Sequence, residues 1–314
     1  MKAKGKLLYI GIPLLAILLT VPLYSPEYYL LLIINVMMYA TLAVSWIIFS
    51  SYTGYISLAT VAFFGIGAYC TAIFWPALPF PVLIIMGGVV SMVFAFLIGF
   101  PCLKIRGPYF IILTLGLSEL VKHVVQLLEV KITGTIGHVL IGGPPTATYF
   151  YLLLAIGIAT VVAAHLIKKS RFGLGLLSIK GNEDAAQAMG VDTTKYKLIA
   201  FGISAMFMGL VGAVVALRWT YIDAFVAFNP TITFSVIIMA ILGGMADFRG
   251  PVLGAIIMVL LQEAFGIQFP YYYMIIMGVV LILIIKFLPI GILGKVDQLR
   301  SRRKEKMGLS IGGE

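Results

Sequence analysis

Residues 28–49 read YYLLLIINVMMYATLAVSWIIF, an uninterrupted run of 22 residues that contains no charged side chain. The hydrocarbon core of a bilayer is about 30 Å thick, so a helix needs about 20 apolar residues to cross it. The run therefore predicts one transmembrane helix. Runs of similar length recur on both sides of it along the chain, and together they decide the class of fold.

The composition excludes a soluble globular enzyme and a disordered chain. Of the 314 residues, 61% are hydrophobic and 11% are charged, whereas an ordinary soluble domain has about 25% charged residues. One water-soluble core of this size could not bury so much apolar surface. The net charge of +10 would by itself suggest nucleic-acid binding. The charges form short clusters between long uncharged runs, however, which is typical of a membrane protein, so nucleic acid is not an expected partner.

About ten apolar runs are bounded by charge, Pro or Gly, and they support eight to ten transmembrane helices. They lie at about 7–24, 28–49, 55–75, 80–100, 109–128, 148–167, 197–217, 229–245, 250–266 and 270–288. The first resembles a signal peptide but has no convincing cleavage site, so we expect a retained span. The eighth and ninth are short enough to be half-helices. The sequence thus predicts an all-α polytopic membrane protein, and ten spans would allow a five-plus-five inverted repeat.

The basic residues fix the expected orientation of these spans. Cytoplasmic loops carry an excess of Lys and Arg, and 18 of the 22 basic residues fall on the side of the N-terminus: Lys2, Lys4, Lys6, Lys104, Arg106, Lys168, Lys169, Arg171, Lys180, Lys195, Lys197, Arg249, Lys295, Arg300, Arg302, Arg303, Lys304 and Lys306. Only Lys131 and Arg218 fall on the other side. The asymmetry predicts that both termini are cytoplasmic. We divide the chain into a membrane domain at 1–294, which includes the loop at 168–197, and a basic cytoplasmic tail at 295–314.

The loop at 168–197 differs from the other loops because it is long, charged and contains a helix signal. Asn182 suits an N-cap, the carboxylates of Glu183 and Asp184 suit the first turn, and Gly190 suits the C-terminal end. The residues of this signal are Asn182, Glu183, Asp184, Ala185, Ala186, Met189 and Gly190. Because a helix of about two turns is marginal alone, it must dock on the membrane domain or on a second protein.

The sequence offers no catalytic or metal site. No Gly-Lys pair is followed by Ser or Thr in a phosphate-binding loop, so the chain is not expected to hydrolyse ATP by that route or to bind a cofactor. The three histidines lie too far apart for a helical metal motif, and the two cysteines, Cys70 and Cys102, lack metal-ligand spacing.

Glu119 is the clearest ionisable group at membrane depth, where such groups are costly and commonly functional. Lys122 and His123 follow it by three and four residues on the same helical face. The group is either an internally neutralised structural pair or a polar element that faces a substrate path or partner. In the second case an ion-driven secondary transporter, with Glu119 and His123 as a proton relay, is an alternative function.

Two glycine-rich segments, at 54–69 and 243–255, interrupt the apolar pattern. Glycine allows helices to approach closely, or to unwind beside a cavity. The segments are therefore expected either to pack helices together or to line a translocation path. Their candidate residues are Gly54, Ser57, Phe63, Gly65, Gly67, Gly243, Gly244, Gly250 and Gly254.

The chain resembles the permease family of bacterial ABC importers for branched-chain amino acids, in particular its LivM-type subunits. The resemblance rests on GYISL at 54–58 with AFFGIGAY at 62–69, RGPYF at 106–110 with TLG at 114–116, SRFG at 170–173 with NEDAA at 182–186 and MG at 189–190, and GG at 243–244 with GPVLGA at 250–255. One departure is TGTIG at 133–137, where the family pattern leads us to expect Thr-Gly-Gly.

The resemblance implies a heteromeric importer in the bacterial inner membrane. It would move leucine, isoleucine and valine by alternating access, although permeases for urea or short amides look similar. The implied partners are a sister LivH-type permease, two cytoplasmic ATPase subunits that use the ATP, an external substrate-binding protein and membrane lipid. Glu183, Ala185, Ala186 and Gly190 would then belong to a coupling helix that fits a cleft in the ATPase.

Overall fold

The computed structural model describes residues 20–22, 24–268, 278–279, 282, 286, 291–295 and 298. The tail and most of the first and tenth predicted spans lie outside the described residues. Eleven helices lie between residues 27 and 268: α1 Glu27–Thr53, α2 Thr60–Phe74, α3 Phe80–Cys102, α4 Pro108–Thr133, α5 Thr146–Lys169, α6 Arg171–Gly181, α7 Glu183–Ala188, α8 Thr193–Ala216, α9 Ala224–Ala227, α10 Pro230–Gly243 and α11 Arg249–Gln268. Two short strands, β1 His138–Val139 and β2 Tyr221–Ile222, pair antiparallel.

Seven helical stretches in the described part are long and apolar enough to cross a membrane. They are Glu27–Thr53, Phe80–Cys102, Pro108–Ile132, Thr146–Lys169, Thr193–Ala216, Ala224–Gly243 and Arg249–Gly266. The apolar helix α2, with 15 residues, is shorter. The all-α polytopic fold is thereby confirmed. The loops joining α3 to α4 and α5 to α8 lie at one end of the bundle, which we call the basic face, and the opposite end is the outer face.

The third predicted span is not one continuous helix. Gly54 ends α1 in the left-handed conformation, with φ of 80°, and residues 54–59 stay outside any helix until α2 begins at Thr60. The prediction of a helix across 55–59 was therefore wrong. The stretch is apolar, as the prediction required, but hydropathy does not distinguish buried non-helical backbone from a helix.

The backbone at 55–58 has no helical hydrogen bonds. Side chains of α1 and α4 bond to its N–H and carbonyl groups instead. The Leu58 N–H donates to Oγ1 of Thr114 at 3.0 Å, and Oγ of Ser118 donates to the Leu58 carbonyl at 3.2 Å. The indole of Trp46 donates to the Ser57 carbonyl at 2.8 Å. Non-helical backbone is tolerated at membrane depth only when protein satisfies it in this way.

The residues at 229–266 form two separate helices, α10 and α11, as the eighth and ninth predicted spans. The short helices α2 and α10 begin side by side, because the Val61 N–H donates to Oγ1 of Thr233 at 3.0 Å. They end at opposite faces. The indole of Trp75, after α2, donates to the carbonyl of Ile141 in an outer loop, whereas Ser51 at the basic end of α1 donates to the carbonyl of Met245, after α10. This arrangement is the one expected of two halves with inverted topology.

Helix α8 is the centre of the bundle and the most buried of the seven candidate spans. Its glycines permit unusually close contact with α2: a Cβ added at Gly67 would overlap the carbonyl of Gly209, and one added at Gly212 would overlap the carbonyl of Phe64. Small residues at helix crossings are how membrane helices gain contact area, since lipid gives them no hydrophobic driving force.

Gly67→Ala should lower the free energy of unfolding by about 1–3 kcal/mol, because the added methyl meets backbone that cannot move aside. Thermal unfolding of the purified protein in detergent measures the effect. Gly116→Ala is the matched control, since nothing lies within 4 Å of its added Cβ. Equal stability of the two variants would contradict close packing of α2 on α8.

Candidate functional site at the basic face

The structure contains the short helix that the sequence predicts in the loop at 168–197. The side-chain oxygen of Asn182 accepts from the N–H groups of Asp184 and Ala185, each at 3.1 Å. Gly190 follows the helix in the left-handed conformation, with φ of 89°. The loop also contains α6, which was not foreseen; it is capped by Ser170 and packs against α7.

A buried ion pair ties α7 to the membrane domain. Lys197, in the first turns of α8, places its Nζ 2.6 Å from Oε1 of Glu183, and the two side chains are 2% and 11% exposed. The Tyr55 hydroxyl donates to the other oxygen of Glu183 at 2.5 Å. Lys197 also donates to the Leu103 carbonyl at 3.2 Å. Buried charges are tolerated when they are paired and hydrogen-bonded in this manner.

Arg106 closes this network on its solvent side. Its Nη1 lies 2.7 Å from Oδ1 of Asp184, and its Nε lies 3.7 Å from Oε2 of Glu183. Because its side chain is 51% exposed, the Arg106 contacts add little stability. They do complete a connection between four separate segments: the loop after α3, the extended stretch at 54–59, α7 and the start of α8. We call Tyr55, Arg106, Glu183 and Lys197 the coupling network.

The coupling network keeps Glu183 ionised. Burial by itself would raise the pKa of this carboxyl, but hydrogen bonds from Lys197 and Tyr55, with the charges of Lys197 and Arg106, outweigh burial and lower the pKa below its ordinary value. The carboxylate is therefore the charged form at neutral pH.

Helix α7 has two distinct faces. Ala186 is 4% exposed, and it faces the protein together with Glu183. Ala185 and Ala188 are exposed, and Met189 is 86% exposed. Of the residues expected to enter a cleft in the ATPase, Glu183 and Ala186 therefore contact this chain instead. The opposite side of the helix is free for a partner.

The glycine candidates lie mainly at helix contacts. A Cβ at Gly65 would overlap the ring of Phe228, and those at Gly243, Gly250 and Gly254 would overlap backbone between α10 and α11. Phe63 packs against the ring of Phe201, with centroids 5.1 Å apart. Gly244, with φ of 106°, ends α10. These positions have the close approach that the packing alternative requires.

Glu119 forms an ion pair with Lys122, and the Lys122 ammonium also lies 5.5 Å from the ring centroid of Phe225. His123 is exposed, and no hydrogen bond or ion pair joins it to Glu119 in the described residues. Of the two alternatives for Glu119, the geometry favours the internally neutralised pair.

Sequence reasoning missed a second buried carboxylate, Glu129, near the outer end of α4. Its side chain is 3% exposed; Oε2 accepts from the Tyr69 hydroxyl at 3.1 Å, and Oε1 lies 3.2 Å from Nε2 of His138 in β1. Its position directly after the fifth predicted span is the signal in the sequence that marks it as an ionisable group close to membrane depth. The partners Tyr55 and Lys197 gave no such signal, because both lie at span ends where they look interfacial.

Comparisons with known proteins agree with this architecture. The family model described as "Branched-chain amino acid transport system / permease component" matches residues 28–285. The LivM permease of Salmonella typhimurium is 28% identical across 88% of this chain and 72% of its own length, and that of Escherichia coli is 27% identical with the same coverage. The probable LivH permease of Methanocaldococcus jannaschii is 26% identical across 79% of this chain and 81% of its own length. No solved structure matches the chain.

The fold and the matched residues define a polytopic transport permease, a subunit that carries solute rather than an enzyme. The chain belongs to the family of permease components of branched-chain amino acid transport systems. It is accordingly a multi-pass protein of the bacterial inner membrane, and the basic face is its cytoplasmic side by the distribution of Lys and Arg.

Lys197→Met should lower the free energy of unfolding by about 3 kcal/mol. Breaking a buried ion pair costs about 3–5 kcal/mol. We expect the lower end of this range because Arg106 and Tyr55 still contact the Glu183 carboxylate after Lys197 is removed. Lys195→Met is the matched control, since Lys195 makes a surface pair with Asp192 and its side chain is 78% exposed. Thermal unfolding in detergent compares them, and equal losses would refute the importance of burial.

The stabilisation from Glu183 should depend on pH in a defined direction. Because its pKa is lowered in the folded protein, its contribution is complete above the unfolded value of about 4.3 and is lost as the pH falls through the folded value. The difference in unfolding temperature between the wild type and Glu183→Gln should stay constant from pH 7 to about pH 5 and shrink below about pH 4. A difference that grows on acidification would contradict the ion pair.

Proposed function

We propose that α7 is the mechanical input of this permease and that the coupling network carries movement from α7 into the membrane domain. The observation that supports this is the Lys197 to Glu183 ion pair at 2.6 Å, because it joins a short surface helix to the central helix α8. Since the chain's sequence contains no phosphate-binding loop, the ATP is used by separate subunits.

In the proposed cycle, closure of two cytoplasmic ATPase subunits on ATP moves α7. The displacement passes through Glu183 to Lys197 at the start of α8, through Tyr55 to the extended stretch at 54–59, and through Arg106 to the end of α3. Helix α8 packs on α1, α2 and α3, so a tilt of α8 repacks the helices around it. Alternating access to the two sides of the membrane is the expected result.

The free side of α7 has the properties of a contact surface. Ala185 and Ala188 are small and allow close approach of another backbone, while Met189 is a flexible apolar side chain exposed at the end of the helix. An exposed methionine beside two exposed alanines fits a shallow apolar cleft. The further proposed partners are a sister permease and an external binding protein that delivers leucine, isoleucine or valine.

The test is Ala185→Trp in the complete transporter, reconstituted in vesicles with its ATPase subunits and binding protein. We expect substrate-stimulated ATP hydrolysis and leucine uptake to fall about tenfold or more, the effect of losing about 1.4 kcal/mol of docking free energy. Lys195→Trp, at an exposed position in the first turn of α8 and outside α7, should leave both activities unchanged.

Wild-type uptake and ATPase stimulation by Ala185→Trp in an intact complex would refute docking through α7. A second measurement addresses the ion-gradient alternative: vesicles that contain this chain alone should accumulate no leucine under an imposed proton or sodium gradient. Accumulation by the single chain would overturn the dependence on partner ATPases.

A further inference from the structure

A cavity of about 390 Å³ opens near the outer face between α1, α8, α10 and α11. Its volume lies within the range of small-molecule sites, about 300–1,000 Å³. The lining combines apolar side chains with polar ones, among them Asn35, Tyr39, Arg218, Asn229, Gln262 and Glu263. None of these residues belongs to the coupling network.

Arg218 is a half-buried cation with only a neutral partner. Its Nη1 donates to Oδ1 of Asn35 at 2.6 Å, and no carboxylate lies within 4 Å of it among the residues that the structure describes. Burial lowers the pKa of Arg218, which reflects the cost of removing water from the guanidinium. A guanidinium has five N–H donors, so most of its capacity to bind a carboxylate is unused.

Glu263, on α11, lines the same cavity with the opposite charge. One of its oxygens accepts from the Tyr28 hydroxyl at 2.7 Å, and within the described ranges no Lys, Arg or His lies within 4 Å of its carboxylate. The cavity thus holds a cation and an anion that do not neutralise each other. A ligand that carries both charges would satisfy them together.

The apolar part of the lining favours a hydrocarbon group beside those charges. Met38, Val215, Ile232 and Val259 contribute aliphatic surface from α1, α8, α10 and α11. A strongly polar or multiply charged solute would leave this surface wet, whereas a branched aliphatic side chain would cover it at about 25 cal/mol per Å².

We propose that this cavity is a binding site for the transported amino acid as a zwitterion, with its carboxylate on Arg218, its ammonium on Glu263 and its side chain against the aliphatic wall. The inference rests on the proposed function only for the identity of the solute. It assigns part of the selection of substrate to the permease itself, after release from the external binding protein.

Protection of an introduced thiol tests the site without the binding protein. Val226 lines the cavity and is 39% exposed, so Val226→Cys in a Cys70→Ala, Cys102→Ala background places a single reactive group at its edge. In the assembled transporter in vesicles, L-leucine should slow labelling by a polar thiol reagent. 4-Methylpentanoate, which lacks the ammonium, and 3-methylbutylamine, which lacks the carboxylate, should protect much less.

Arg218→Gln and Glu263→Gln should each raise the leucine concentration for half-protection at least tenfold, and Arg218→Lys should raise it less than Arg218→Gln. Arg249→Gln, which removes an exposed guanidinium at the basic face, is the matched control and should change nothing. Thermal unfolding of each variant in detergent, with a transition temperature close to that of the wild type, verifies that the variant is folded.

Equal protection in Arg218→Gln and the wild type, or equal protection by 4-methylpentanoate and leucine, would overturn the site. So would loss of uptake with unchanged protection, since Arg218 would then serve contact with the external binding protein. If leucine fails to protect while the wild-type complex still couples ATP hydrolysis to leucine uptake, the cavity proposal fails and the proposed function stands. If the wild-type complex does not transport leucine, the proposed function fails.

Discussion

Backbone that leaves helical geometry inside a bilayer must find all its hydrogen-bond partners in protein, and this constraint organises the described part of the chain. The extended stretch at 54–59 meets it with Thr114 and Ser118 from α4 and Trp46 from α1. These hydrogen bonds hold the stretch against α1 and α4. The residues of two long helices therefore determine where α2 begins. The short helix α10 begins against the start of α2 through Thr233, so the position of α2 in turn fixes that of α10.

The same stretch connects this constraint to function. Its first residues lie at the basic face, where Tyr55 bonds to Glu183, and its last residues lie at the start of α2, in the interior of the bundle. Between these ends the stretch is held by hydrogen bonds from α1 and α4. In the proposed cycle, movement of α7 reaches the interior by two routes, helix α8 through Lys197 and the stretch at 54–59 through Tyr55.

The class of fold, the span positions and the short capped helix could be predicted from the sequence because each depends on local composition. Asn182 before two acidic residues and several alanines is sufficient for α7. The break at 54–59 could not be predicted, because its cause is hydrogen bonding from residues that are distant in the sequence, such as Thr114 and Ser118. The orientation of Ala186 toward the protein and of Met189 toward solvent depends likewise on how α7 lies against its neighbours, which no local pattern records.

Charge is used in opposite ways at the two faces of this permease. At the basic face Lys197 and Glu183 are buried and fully paired, so separating them is costly, and the pair behaves as a fixed joint. Near the outer face Arg218 and Glu263 line one cavity and hydrogen-bond to neutral partners. Their charges are therefore partly desolvated without the stabilisation that an ion pair would give. Such a cost is tolerated where a ligand offsets it on binding. Because a zwitterion neutralises both groups while it is bound and exposes them again when it leaves, the stability of the outer cavity changes with occupancy.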